Sequence, residues 1–343
     1  MAISTGYFGG ANGERGFVSY FEGALGEARH LYILKGGCGC GKSALMKKVA
    51  AEAEKRGEAV ERIYCASDPE SLDGVFLPQR GAAVADGTAP HELSPRLPGV
   101  ADRLVNLGEF WDAKQLRAKR GTVKALTEKK EAAMNRAYSL FAAVGCLEEE
   151  KQKLLEGAVL WDKMNAAAVR LIKQSAPAGG EFCATVRPRQ AFCSKGLVTA
   201  PRYGESRTIS LKDSYGIAHL FLEQMLAAAY GRGLRVKVSP TALSPCKLGG
   251  LLLEDTGVLF AAEAAPQSKP VNMERFLDKE KLSAVRGKLR FICKTVAALL
   301  EEARLAMAES RTAHAALEDI YTPTMDFSKV DEVTEEIIKE IFA

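Results

Sequence analysis

Leu31 to Leu34 (LYIL) form a short apolar run between polar neighbours, and the pattern predicts a buried strand. A glycine-rich stretch follows. From Ala44 to Lys55 the period changes: Leu45, Met46, Val49, Ala50 and Ala53 recur at helical spacing and predict an amphipathic helix that ends at Gly57. Val60 to Cys65 and Ala82 to Asp86 read as two further short strands, with a polar turn region, Ser67 to Gly74, between them. Strand, helix and strand at these lengths predict a parallel α/β sheet.

After Trp111 the pattern shifts. Residues 113 to 175 carry no proline and are rich in Ala, Leu, Lys and Glu, which predicts two long helices broken near Gly145. The simplest arrangement is a helical hairpin projecting from the sheet. Pro177, Gly179 and Gly180 then mark a boundary, giving units at 1–180 and 181–343.

The second unit repeats the first in order. Gly16-Phe17-Val18-Ser19 is echoed by Gly196-Leu197-Val198-Thr199, and Leu34-Lys35 by Leu211-Lys212. Lys55-Arg56-Gly57 is echoed by Gly231-Arg232-Gly233, and SDPESLDGVFLP from Ser67 by LSPCKLGGLLLE from Leu243. NLGEFW from Asn106 is echoed by NMERFL from Asn272, and helical sequence, about 271–343 in the second copy, follows each. Five echoes in one order argue for an internal duplication.

Between the first strand and helix lies Gly36-Gly37-Cys38-Gly39-Cys40-Gly41-Lys42-Ser43, which satisfies the P-loop pattern in its required context. Glycines let successive backbone N–H groups turn toward one phosphate, and the helix start, at Lys42 to Ala44, adds a positive dipole end. Lys42 would reach the β- and γ-phosphates, and Ser43 would place its hydroxyl on Mg²⁺. Such a site also uses a carboxylate at the end of a neighbouring strand. Asp86 is the first choice, on the metal or its water or polarising the nucleophile, and Asp68 the second; Asp73, before Gly74, reads as a turn residue. His91 reads either as facing the ligand or as a turn histidine. Arg80 and Arg96 read as surface arginines that are weak candidates for phosphate charge, and Cys38 and Cys40 as fillers of variable loop positions, with a metal or redox role as the alternative.

The second copy reads DSYGIAHL, Asp213 to Leu220, where the first has its loop, and Ala262 where the first has Asp86. Lysine, hydroxyl and carboxylate are gone together, and Asp213 would put negative charge where phosphates would sit. One working site is therefore expected, with ATP and Mg²⁺ as its ligands.

Composition narrows the classes. The net charge is +4 in 343 residues with no long basic block, so no nucleic-acid partner is expected. Charged residues such as Glu254 and Asp255 interrupt the apolar stretches, so no membrane insertion is expected. Eight irregularly spaced cysteines without a secretory signal predict reduced thiols and a cytoplasmic protein.

LKGGCGCGKSALMKK, SDPESLDGV, DGTAPHELSPRLPG and NLGEFWD together resemble a family of bacterial tandem P-loop ATPases to which no substrate is assigned. The resemblance runs along nearly the whole chain. It implies ATP binding at Gly36 to Ser43 and a role for the region from Asp86 to His91. The family has two P-loop units in a chain; this chain keeps the loop only in its first. The expectations are thus an ATPase that moves its helical hairpins, to which a protein partner would bind, or else a small-molecule kinase or a non-hydrolysing nucleotide sensor.

Overall fold

A computed structural model describes residues 4–263 and 270–343. The first half runs β1 (Thr5–Phe8), β2 (Gly10–Gly13), β3 (Gly16–Ser19), α1 (Phe21–Leu25), β4 (His30–Lys35), α2 (Lys42–Lys55), β5 (Glu61–Tyr64), β6 (Leu72–Leu77), β7 (Ala82–Asp86) and β8 (Asp102–Asn106). A short 3₁₀ turn, Leu107–Phe110, leads to α3 (Ala113–Ala118), α4 (Arg120–Glu156) and α5 (Trp161–Ser175). The second half runs β9 (Cys183–Val186), β10 (Gln190–Cys193), β11 (Gly196–Thr199), β12 (Arg207–Lys212), α6 (Ala218–Tyr230), β13 (Arg235–Pro240), β14 (Leu248–Leu253), β15 (Val258–Ala261) and β16 (Val271–Asn272). A second 3₁₀ turn, Met273–Phe276, precedes α7 (Lys279–Tyr321) and α8 (Phe327–Phe342).

The two six-stranded sheets have the same order. The first is β1-β5-β6-β7-β4-β8; the second, read in the matching direction, is β9-β13-β14-β15-β12-β16. In each, the third strand runs antiparallel to both neighbours while the other pairs are parallel. The expectation of purely parallel sheets is therefore corrected to mixed ones. The reason lies in β6. All six of its residues are buried, as a central strand covered on both faces requires, yet its first half falls within the stretch read as a polar turn. Asp73-Gly74, a turn-like dipeptide, sits there at an irregularity in the β5–β6 pairing.

The sheets face each other. Ile33, Ile63 and Phe76 of the first pack with Leu252 and Leu259 of the second in one apolar cluster. The outer face of each sheet carries helices: α2 buries Leu45, Met46 and Val49 on the first, and α6 buries Phe221, Leu222 and Met225 on the second.

The division at 180/181 follows the chain but not the cores. Met164, Ala168 and Ile172 of α5 belong to the core of the second sheet. Val330, Ile337 and Ile341 of α8 belong to that of the first. The exchange is reciprocal at the crossing point. Asp112 N donates to Thr324 O and Asp278 N to Ala158 O, both at 2.8 Å; Asp326 N donates to Phe110 O at 3.0 Å and Leu160 N to Phe276 O at 2.8 Å. Each half thus supplies the last helix of the other.

The expected projecting hairpin is corrected too. Helix α4 runs unbroken through Gly145 for 37 residues; the chain breaks at Lys119, ahead of α4, and again before α5. At 1.5 Å per residue it spans roughly 55 Å. Its long neighbour is α7, of 43 residues, which runs antiparallel to it. Arg136 pairs with Glu302, and Lys281 reaches the carbonyl of Gly157. Midway, Ala137 and Phe141 of α4 and Ala303 and Met307 of α7 pack on Phe192 of β10, so the pair lies along the body. Among the described residues, no helix is long and apolar enough to cross a membrane.

Candidate functional site

Strands β4, β7 and β8 are parallel, so Lys35, Asp86 and Asn106 end together at one edge of the first sheet, beside the start of β6. The glycine loop Gly36–Gly41 leaves β4 at that edge and turns into α2. Gly39 (φ +69°) and Gly41 (φ +88°) hold left-handed backbone that other residues adopt only with strain. Glycine is also required by what covers the loop. A Cβ on Gly37 would lie 3.1 Å from the Trp111 ring, and one on Gly39 would lie 2.6 Å from Thr322 Oγ1. One on Gly41 would touch Phe327 and Val330 of α8. The end of α7 and the start of α8, both from the far half of the chain, therefore fold over the loop.

Lys42, the first residue of α2, is folded back into the loop. Its ammonium donates to Gly36 O at 2.7 Å and Gly37 O at 2.8 Å, and lies 3.5 Å from Asp86 Oδ2. Asp86 uses its other oxygen to accept from Thr88 N at 2.8 Å and from the Thr88 hydroxyl. Ser43 Oγ accepts from Leu72 N at 2.9 Å. Lys42, Ser43 and Asp86 are thus brought together with the loop. Ala44 is exposed on the first turn. Burial pushes the thiols of Cys38 and Cys40 up, which keeps them protonated at neutral pH. Cys40 also donates to Gly37 O at 3.1 Å.

Asp68 lies in the turn whose Leu72 binds Ser43, and its carboxylate is joined to another partner. Its Oδ2 accepts from Ser71 Oγ at 2.9 Å and from Arg311 of α7 at 3.2 Å. Arg311 reaches Glu318 Oε2 at 3.3 Å with its other nitrogen. Arg80 and Arg96 lie at the opposite edge of the sheet. Arg80 binds Glu58 at 2.7 Å, and Arg96 donates to Ala28 O at 3.0 Å.

One pair escaped the sequence reading. Asp73, buried, holds His91 Nε2 at 3.0 Å, and the imidazole stacks on Phe21 with ring centroids 4.0 Å apart. Ser19 Oγ is 3.2 Å from His91 Nδ1. With Nε2–H donating to the carboxylate, Nδ1 is left to accept the Ser19 hydroxyl. The signal lay in the duplication. Register pairs Gly74 with Ala85 in the first sheet and Gly250 with Ala261 in the second, so Asp73 corresponds to Gly249.

The second half has a loop in the same place without the side chains of the first. His219 stands for Lys42, Leu220 for Ser43 and Ala262 for Asp86. Asp213, in the place of Gly36, turns its carboxylate inward. Oδ1 accepts from Tyr215 N at 3.1 Å and Gly216 N at 2.8 Å, and Oδ2 from Ala218 N at 2.6 Å. The amides of this loop converge on an anion that the chain itself supplies.

Among the described residues, no group of three or more His, Cys, Asp or Glu side chains is placed to hold a metal ion. A cation held by Ser43, Asp86 and ligand phosphates needs no such cage, because Mg²⁺ keeps several waters and few protein ligands. The residues present therefore fit Mg²⁺ arriving with a nucleotide. Set against known proteins, the chain matches no family model, no curated protein and no solved structure.

Proposed function

We propose that the protein is a P-loop ATP-binding protein of the tandem type its motifs resemble, working in the cytoplasm as a Mg²⁺-dependent ATPase with one nucleotide site, in the first half. The observation that carries the reading is the contrast between the two loops. In the second half, three backbone N–H groups are satisfied by the Asp213 carboxylate. In the first half the equivalent position is Gly36, and a lysine, a hydroxyl and a carboxylate surround the loop. An anion from outside is what completes that arrangement, and a triphosphate supplies the charge.

On this reading the loop amides and Lys42 bind the phosphates, and Ser43 and Asp86 hold Mg²⁺, directly or through water. The metal would neutralise charge that develops on the phosphates. Lys42 must then exchange the carbonyls of Gly36 and Gly37 for phosphate oxygens. That exchange moves backbone lying under Trp111 and Thr322, so occupancy is felt by α7 and α8. The outer faces of α4 and α7 are where a protein partner would read it. A second reading, transfer to a small acceptor, draws on the buried Asp73–His91 pair at the same sheet edge, where an acceptor hydroxyl would take the place that Ser19 holds on Nδ1.

The deciding experiment measures MgATP binding and phosphate release by the full chain, with and without candidate acceptors. Release of inorganic phosphate supports the ATPase, and ADP with a phosphorylated acceptor supports the kinase. Binding with no turnover under any condition removes both and leaves a nucleotide sensor.

A further inference from the structure

Resting on the ATP-site reading above, we propose that Arg311 is a catalytic residue of that site, delivered from the second half of the chain and held in reserve by Asp68 and Glu318. The segments that carry the two long helices match one to one. Asp112 begins α3, which leads into α4, and Asp278 begins α7; Ala158 and Thr324 close the two segments with equivalent backbone bonds, and the stretches between are equally long. Arg311 on α7 therefore corresponds to Gly145 on α4. Helix α7 ends over the intact loop, with the Glu318 carbonyl 3.4 Å from where a Gly39 Cβ would lie. Helix α4 ends over the degenerate loop. The arginine is present only on the helix that addresses a loop with Lys42, Ser43 and Asp86.

Its latch follows the same rule. Cys65 N donates to Ser71 O and Thr241 N to Lys247 O, which aligns Asp68 with Ser244. Arginine and aspartate are thus both present in the first site and both missing from the second. Asp68 and Ser71 belong to the turn that enters β6, and the next residue, Leu72, binds Ser43. The guanidinium therefore sits between that turn and the helix end against the loop. It is 39% exposed, which leaves it free to move. Two carboxylates hold it by surface-type ion pairs worth about 0–1 kcal/mol each, so a triphosphate outcompetes them.

In the reaction a water oxygen bonds to the γ-phosphorus and the bond to the β–γ bridging oxygen breaks. ADP leaves with the bridging oxygen, and the water's two protons leave on inorganic phosphate as H2PO4⁻, which passes one of them to solvent. Arg311 would meet the charge on the transferring oxygens.

The test uses the full-length protein and its Arg311→Ala, Arg311→Lys, Asp68→Asn and Lys42→Ala variants, with MgATP affinity and phosphate release measured for each. R311A is expected to bind within about threefold of wild type and to lose turnover by about 10³-fold. R311K is expected to stay slow, because an ammonium lacks the guanidinium's planar fork. D68N is expected to raise basal turnover by freeing the arginine. Wild-type turnover in R311A, with binding lost in K42A, overturns this role and leaves the ATP site standing. A loss in R311A that falls on affinity and not on turnover also overturns it. Wild type that fails to bind MgATP removes both proposals.

Discussion

Asp213 takes in the second loop the place that Gly36 holds in the first, and its carboxylate receives the amides of Tyr215, Gly216 and Ala218. One substitution fills the anion position and removes the need for a ligand there. The second half has the loop as a structural corner, without the counterparts of Lys42, Ser43 and Asp86.

Asp213→Ala should leave three loop amides without their acceptor. The expected cost is roughly 1–3 kcal/mol of stability. Because an outside anion can then serve, millimolar phosphate or pyrophosphate should recover part of the loss in D213A and leave the wild type unchanged. Thermal denaturation with and without phosphate reads both effects.

Helix exchange makes the halves interdependent. A fragment of residues 1–180 lacks α8, so Leu45, Met46 and Val49 lose the cover given by Val330, Ile337 and Ile341. That fragment is expected to be aggregated or unfolded by circular dichroism and size exclusion. Adding residues 181–343 in trans should recover structure. A well-folded fragment with full turnover would show that the exchanged helices are not needed.

Gly39→Ala sets a Cβ 2.6 Å from Thr322 Oγ1, at a positive φ. The expected result is lower stability by about 1–3 kcal/mol from strain and overpacking. Thr322→Ala in the same chain should relieve part of it, measured as a coupling in a double-mutant cycle of denaturant melts.

The loop thiols give a chemical readout. Burial raises the pKa of Cys38 and Cys40, so less thiolate is present at a given pH than for a free cysteine. Alkylation should be slow near pH 7, should quicken as pH rises, and should strike half-buried Cys38 before buried Cys40. MgATP should protect both while exposed Cys146 and Cys183 react unchanged. Site-resolved mass spectrometry separates these outcomes.

Much of the local structure is legible in the residues. The LYIL run, the glycine loop and the periodicity of Leu45 to Ala53 specify strand, loop and helix, and the structure places Asp86 at the end of the strand beside them. The matching sheet orders extend the repeated segments to whole architecture. What stayed hidden depends on partners. Periodicity shows that Met164, Ala168 and Ile172 share a face, but nothing in it names the sheet they cover. Gly145 reads as a break, yet it lies mid-helix, where the missing side chain leaves room for Glu14, whose Cβ would be 2.9 Å from one on Gly145. Asp73 reads as a turn former because a bulge next to a glycine and a turn share the same residues. His91 and Arg311 are far from their aspartates in the chain, and only the fold brings them together.

Calorimetric titration of the full-length protein with MgATP, wild type beside Lys42→Ala, tests the central claim most directly. The ATP-site account expects one site per chain in the wild type and affinity lowered by at least about 100-fold in the variant, since a charge-assisted phosphate contact is worth roughly 3 kcal/mol. Equal affinity in the two proteins, or no binding in either, would contradict it.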